Sequence, residues 1–187
     1  MMLTWLGAGP PRLGGVRIVL GARRLRATGS LVSSADGGKP AYSAAYTLST
    51  GENGVISRVS VRAVNASGER QVTLNRSEEG IWLVDHGQGA ERTPFDGAVD
   101  VDVAACVMFS AIPVRRLGLH RHGGEHELPV VFVGLPDLSV RLVRQTYRSA
   151  GGGGPHTVSF QQDDFHADLT VDDDGLVVDY PGLARRV

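Results

Sequence analysis

Residues 99–133 read VDVDVAACVMFSAIPVRRLGLHRHGGEHELPVVFV, the densest apolar run in the chain and its tightest gathering of ionisable groups. Val99, Val101 and Val103 alternate with Asp100 and Asp102, the period-two pattern of a strand with one buried face. Pro113 interrupts the apolar run that starts at Ala104, because proline has no N–H to give a ladder. Beyond it, Arg115–His122 reads as a strand meeting Gly123-Gly124, a pair free to take the positive φ of a two-residue hairpin loop. That register puts Leu117, Leu119, Leu128 and Val130 on one face and His120, His122, Glu125 and Glu127 on the other. The clean sorting of apolar from polar residues favours it.

The rest of the chain carries the same strand grammar. Leu25, Ala27, Gly29 and Leu31 alternate with Arg24, Arg26, Thr28 and Ser30, and Tyr42, Ala44, Tyr46 and Leu48 share a face after the turn cluster at Asp36–Pro40. Val59, Val61 and Ala63 oppose Arg58, Ser60 and Arg62; Trp82 and Val84 share a side; Phe165, Ala167, Leu169 and Val171 form another alternating set. The Asp174-Gly175 turn leads into Leu176, Val178 and Tyr180, and Pro181-Gly182 is expected to end the sheet. Gly151–Gly154, closed by Pro155, reads as a mobile loop. Short strands at regular spacing with turns between them predict an all-β sandwich or barrel, and the helix template fits nowhere for long.

Size and composition set bounds. A chain of 187 residues, 42% of them hydrophobic, is read as a single β-barrel-like domain over 1–187. A net charge of −1 argues against a nucleic-acid partner held by electrostatic attraction. No stretch approaches the roughly 18 apolar residues of a membrane span. The opening residues MMLTWLGAGPPRLGG lack the basic and apolar regions of a secretory signal, which places the expected location in the cytoplasm. Cys106 is the only cysteine, and within its apolar run it is expected to pack as a small hydrophobe rather than act as a nucleophile.

Three blocks then carry a family resemblance. They are Val99-Asp100-Val101-Asp102-Val103 followed by Ile112-Pro113-Val114-Arg115-Arg116-Leu117; Gln145-Thr146-Tyr147; and Val171-Asp172, Gly175-Leu176-Val177 and Tyr180-Pro181-Gly182-Leu183. In this order the sequence resembles the putative glycolipid-binding family of bacterial proteins, and weaker agreement at Tyr46, Arg58, Gly80 and Trp82 extends the likeness over most of the chain. The sequence departs from the family where a Thr-Pro and an Asn are usual; here Ala104–Ala111 is apolar apart from Ser110, so any ligand role of that Asn is lost or moved. The resemblance implies an all-β fold with few or no helices: an antiparallel, strongly curved sheet or near-closed β-barrel, similar to the carriers of bacterial lipoproteins. It implies no catalytic residues.

Several constellations invite chemistry. His120, His122, Glu125 and Glu127 on one hairpin face could converge on a metal ion, although a solvated face of His–Glu pairs is the preferred reading. Asp100 and Asp102, about 6–7 Å apart along a strand, could serve as paired carboxylates of a glycosidase. Ion pairing with Arg115 and Arg116 on a neighbouring strand is preferred. Asp172-Asp173-Asp174-Gly175 lacks the ligand spacing of a calcium loop and reads as a turn. The leading expectation is a non-enzymatic binding protein that holds a lipid-like or glycolipid-like amphipathic molecule in a β-barrel cavity. Asp100, Asp102, Arg115, Arg116, Gln145 and Tyr147 are its polar contacts, and it calls for no cofactor and no metal. The alternatives are a metal-dependent or carboxylate-based hydrolase, and a structural or interaction protein whose barrel is filled by side chains.

Overall fold

The computed structural model describes residues 1–151 and 156–187. The described chain forms the strands β1 (Met2–Gly7), β2 (Arg12–Leu20), β3 (Leu25–Ser33), β4 (Tyr42–Thr50), β5 (Ile56–Asn65), β6 (Gly68–Arg76), β7 (Trp82–Asp85), β8 (Ala90–Thr93) and β9 (Asp100–Val103). A single α-helix, α1 (Ala111–Leu117), precedes β10 (Gly124–Val133), β11 (Val140–Ser149), β12 (His156–Gln162), β13 (Phe165–Val171), β14 (Val177–Tyr180) and β15 (Ala184–Arg186). The alternation read from sequence is the alternation observed: Leu25, Ala27, Gly29 and Leu31 are buried, and Arg26, Thr28 and Ser30 are exposed. The glycine loop expected at Gly151–Gly154 lies, beyond Gly151, outside the described residues.

All fifteen strands join one sheet in the order β8-β7-β6-β5-β4-β3-β2-β1-β15-β14-β13-β12-β11-β10-β9. Each half is a meander, and the two meet where β1 and β15 pair antiparallel, Trp5 opposite Arg186. Pro181-Gly182 therefore turns the chain rather than ending the sheet: Ala184–Arg186 pairs with both β14 and β1 and closes the seam between the halves.

Chain length forces this sheet to curl. Its two free edges, β8 and β9, are consecutive in sequence. Laid flat at about 4.8 Å per strand, the edges would stand about 67 Å apart. The seven steps from Thr93 to Asp100 span about 25 Å at most. The crossing segment is also tied to the opposite wall. Val99 accepts a hydrogen bond from the Ile56 amide at 3.2 Å, and the Ala98 carbonyl accepts one from Trp82 Nε1 at 2.8 Å. The result is a strongly curved, mainly antiparallel sheet that stops short of closure, since β8 and β9 share no ladder.

One pair is parallel. β9 runs beside β10 with Asp100 opposite Val130 and Val103 opposite Val133, so residues 104–123 are a crossover. This overturns the hairpin register: Arg115–His122 is not a strand, and β10 pairs instead with β11, His126 opposite Tyr147. The crossover makes a 3-10 turn at Val107–Ser110 and then α1, and every residue from Val107 to Val114 is buried. A half-buried strand cannot hide eight consecutive side chains; a helical segment inside a curled sheet can. Pro113 is compatible because it sits in the first turn, where the amide has no intrahelical acceptor. Gly118, at φ 70°, ends the helix in the left-handed conformation, and its amide and that of Leu119 cap the Arg115 and Val114 carbonyls.

The crossover fills the space that the sheet encloses. Phe109 packs on Tyr46 of β4 with ring centroids 5.2 Å apart, and Tyr46 in turn lies over Gly29, where a Cβ would fall 2.4 Å from the ring. Tyr147, Phe160 and Tyr180 stack edge to face at 5.2 and 5.8 Å on the other wall. The void left between Trp5, Tyr46, Cys106 and Met108 measures about 20 Å³, room for a water molecule and little more. No helix among the described residues is long and apolar enough to cross a membrane.

Candidate functional site

An open cleft lies at one end of the curled sheet, where α1 and the turn after it meet the β2–β3 hairpin. A cleft of about 560 Å³ is bounded by Arg115, Arg116 and Leu117 of α1, by Gly118–His122, and by Leu20–Arg23. Ile112 and Leu25 supply apolar floor, and Asp174 enters from the β13–β14 turn. That turn is built by its own aspartate. Asp172 Oδ1 accepts hydrogen bonds from the amides of Asp174, at 3.1 Å, and Leu176, at 2.9 Å, as expected of a turn and not of a cation loop.

Arg115 and Arg116, adjacent in the last turn of α1, diverge. Arg116 reaches inward and pairs with Asp100 through both Nε, at 3.3 Å from Oδ1, and Nη2. Asp100 is 1% exposed, and burial pushes its carboxyl above the usual range even though Arg116 pulls the other way. Arg115 instead donates to the backbone carbonyl of Asp174. The pairing of aspartates with arginines is thus correct for Asp100 and Arg116 only, and the arginine comes from a helix, not from a neighbouring strand.

Asp102 belongs to a second polar network. Gln145 of β11, 1% exposed, donates from Nε2 to Asp102 Oδ2 at 2.8 Å and to Gln162 Oε1 at 2.9 Å, while its Oε1 accepts from Tyr147 Oη at 3.0 Å. Burial pushes Asp102 up to about 6, opposed by the Gln145 hydrogen bond and by one from the Val103 backbone. Burial likewise raises Tyr147 well above the usual phenol range, with the Asp102 charge adding to it. The structure therefore brings Asp100 with Arg116, and Asp102 with Gln145 and Tyr147, into two buried networks, and leaves Arg115 at the cleft wall.

The metal constellation dissolves with its hairpin. His120 and His122 lie in the turn after α1, whereas Glu125 and Glu127 stand on β10 opposite Arg148 and Thr146. Among the described residues, no group of three or more His, Cys, Asp or Glu is placed to hold a metal ion. Cys106 is buried, and burial together with Asp102 pushes its thiol up, the reverse of an activated nucleophile.

Arg23 and Arg121 are the cleft residues that sequence reading missed. Arg23 sits at the tip of the β2–β3 hairpin, closed by the Gly21 amide bonding to the Arg24 carbonyl at 2.8 Å. Nothing local in the sequence says that this tip faces residues almost a hundred positions later.

Fold and cleft together define a curled-sheet β protein with a plugged interior and a recessed, arginine-lined mouth. The chain belongs to the family described as Putative glycolipid-binding, whose model matches residues 2–186. A crystal structure of a DUF1089 family protein from Pseudomonas aeruginosa is similar to it, with a TM-score of 0.76 and 26% identity over 93% of this chain and 92% of that one. Comparison with curated proteins found no match.

Proposed function

We propose that this protein is a non-enzymatic binding protein for an amphipathic, glycolipid-like molecule whose polar head sits in the cleft beside α1. The observation that carries the reading is the cleft itself: about 560 Å³, with Leu20, Leu25, Ile112 and Leu117 beside Arg115 and Arg116, is a surface for a ligand with both apolar and polar parts. The family description supports the same chemistry. The void of about 20 Å³ between Trp5, Tyr46, Cys106 and Met108 has no room for an acyl chain, which favours the mouth over the interior as the ligand's place.

Within this reading the six polar residues divide by role. Arg115 and Arg116 touch the ligand. Asp100 positions Arg116 through their ion pair, and Asp102, Gln145 and Tyr147 brace β9 against β11 behind it. Gly175 lets the Asp174 turn close over the site, because a Cβ there would lie 2.9 Å from Arg115 Cγ and 3.0 Å from His120 Nδ1.

Native mass spectrometry of protein purified from a bacterial host tests the reading. The expected result is a 19.8 kDa chain carrying an extractable amphiphile, or taking up an added alkyl glycoside in a one-to-one complex. Protein that emerges bare and takes up none overturns it.

A further inference from the structure

The charges around the mouth are unbalanced in a way that neither the apolar walls nor the family description explains. Arg23, Arg115, Arg116 and Arg121 line the cleft with Asp174 as the one acidic residue, on a chain whose net charge is −1. Asp100 neutralises Arg116. Arg23 and Arg121 have no ion pair and no side-chain hydrogen bond among the described residues. Arg115 donates to the Asp174 backbone carbonyl, with the Asp174 and Asp172 carboxylates near enough to act on its charge but not in an ion pair with it.

A second observation points the same way. His120 lines the cleft at 6% exposure, and its Nδ1 is buried with no hydrogen-bond partner. The ring is hydrogen-bonded to the backbone of Val114 and lies close enough to Arg115 and Arg121 for both charges to oppose its protonation. A ring nitrogen left without a partner in a folded interior is costly. So is a gathering of arginines short of counter-charge, with Arg23 and Arg121 unpaired. An anion seated between them supplies the missing counter-charge to the guanidinium groups, and by favouring the imidazolium it turns Nδ1 into a donor that the anion accepts from while Nε2–H stays on the Val114 carbonyl.

We infer that the cleft binds a phosphate-type anion, clamped by Arg23, Arg115 and Arg121 with His120 behind it. This deepens the binding reading above and rests on it: the head of the amphiphile carries a phosphate rather than a neutral sugar alone. Guanidinium groups suit such a head because their N–H pairs match two oxygens of one phosphate at once.

Calorimetric titration at pH 7 with dodecyl phosphate, dodecyl glucoside and inorganic phosphate tests the inference on the intact chain and on the double variant Arg23→Gln/Arg121→Gln. Both arginines are exposed, so the double variant keeps the core intact. The wild-type chain is expected to bind dodecyl phosphate at least about tenfold more tightly than dodecyl glucoside, and the double variant to bring the two affinities together. Inorganic phosphate that competes with dodecyl phosphate at millimolar concentration makes the free anion a sufficient ligand; failure to compete assigns the phosphate to a lipid head. Equal affinity for the two amphiphiles overturns the inference and leaves the binding reading standing. A phosphate preference that survives in the double variant also overturns it, because the anion is then held elsewhere. If neither amphiphile binds, both readings fall together.

Discussion

Asp100 and Arg116 form a two-pronged ion pair that joins the edge strand β9 to the helix α1, with the carboxylate 1% exposed and the guanidinium side chain 15% exposed. The pair fixes the crossover against the strand it has just left, and so fixes the wall of the cleft. Its net worth is modest, because both charges are taken out of water, but losing one partner is expensive. Arg116→Ala leaves a buried carboxylate unpaired and is expected to cost about 3–5 kcal/mol in urea denaturation. Adding Asp100→Asn to that variant should recover part of the loss. A cost below about 1 kcal/mol would mean that water reaches Asp100.

Asp102 sets a pH dependence whose sign follows from its environment. Burial raises its carboxyl from 3.8 to about 6, so the folded chain holds the proton more tightly than the unfolded one. Its contribution to stability is therefore fully present below pH 4 and is lost as pH rises to about 6, a change of at most about 3 kcal/mol. Asp102→Asn keeps an oxygen for Gln145 Nε2 and removes the charge. The variant should be more stable than wild type by about 1–3 kcal/mol at pH 7.5, with a flatter profile between pH 4 and 6. Parallel pH–stability curves for the two proteins would refute the assignment.

How far the sequence could be read follows from where each signal is stored. Strands β3 and β4 and the Asp172–Gly175 turn were legible because alternation and turn chemistry are local: Leu25 and Arg26 declare their faces to any reader. Residues 104–117 were not, because the segment from Cys106 to Val114 is buried throughout and shows no polar stripe, so its apolar run looks like the core of a strand. The stop signal was Gly118, not Gly123-Gly124, and that misreading produced the false hairpin and its metal face. Five of the six candidate contacts, Asp100, Asp102, Arg116, Gln145 and Tyr147, do fall into the two buried networks. Their partition, and the approach of Arg23 to α1, depend on the curling of the whole sheet.

Gln145 is saturated in a place where an unmet polar atom is costly. Tyr147→Phe removes the donor to Gln145 Oε1 without changing the ring stack on Phe160. The expected loss is about 1–3 kcal/mol, the cost of one stranded buried acceptor. Thermal or chemical denaturation checks it, and a neutral substitution would show that a water replaces the phenol.

Gly175 has φ 73°, and an added Cβ would meet Arg115 Cγ at 2.9 Å and His120 Nδ1 at 3.0 Å. Gly175→Ala should cost about 1–3 kcal/mol from backbone strain alone. By displacing the Asp174 turn it should also weaken amphiphile binding. A variant with wild-type stability and wild-type affinity would show that the turn does not shape the cleft.

The central claim is that the crossover fills the interior permanently and that ligand is met only at the mouth. An NMR titration of the 19.8 kDa chain with dodecyl phosphate separates the two places within one spectrum. The account predicts shifts at Arg23, Leu117, Arg121 and His122, with Tyr46, Met108 and Phe109 unmoved. Large shifts at Tyr46, Met108 and Phe109, marking a ligand that displaces the plug and enters between the walls, would contradict it.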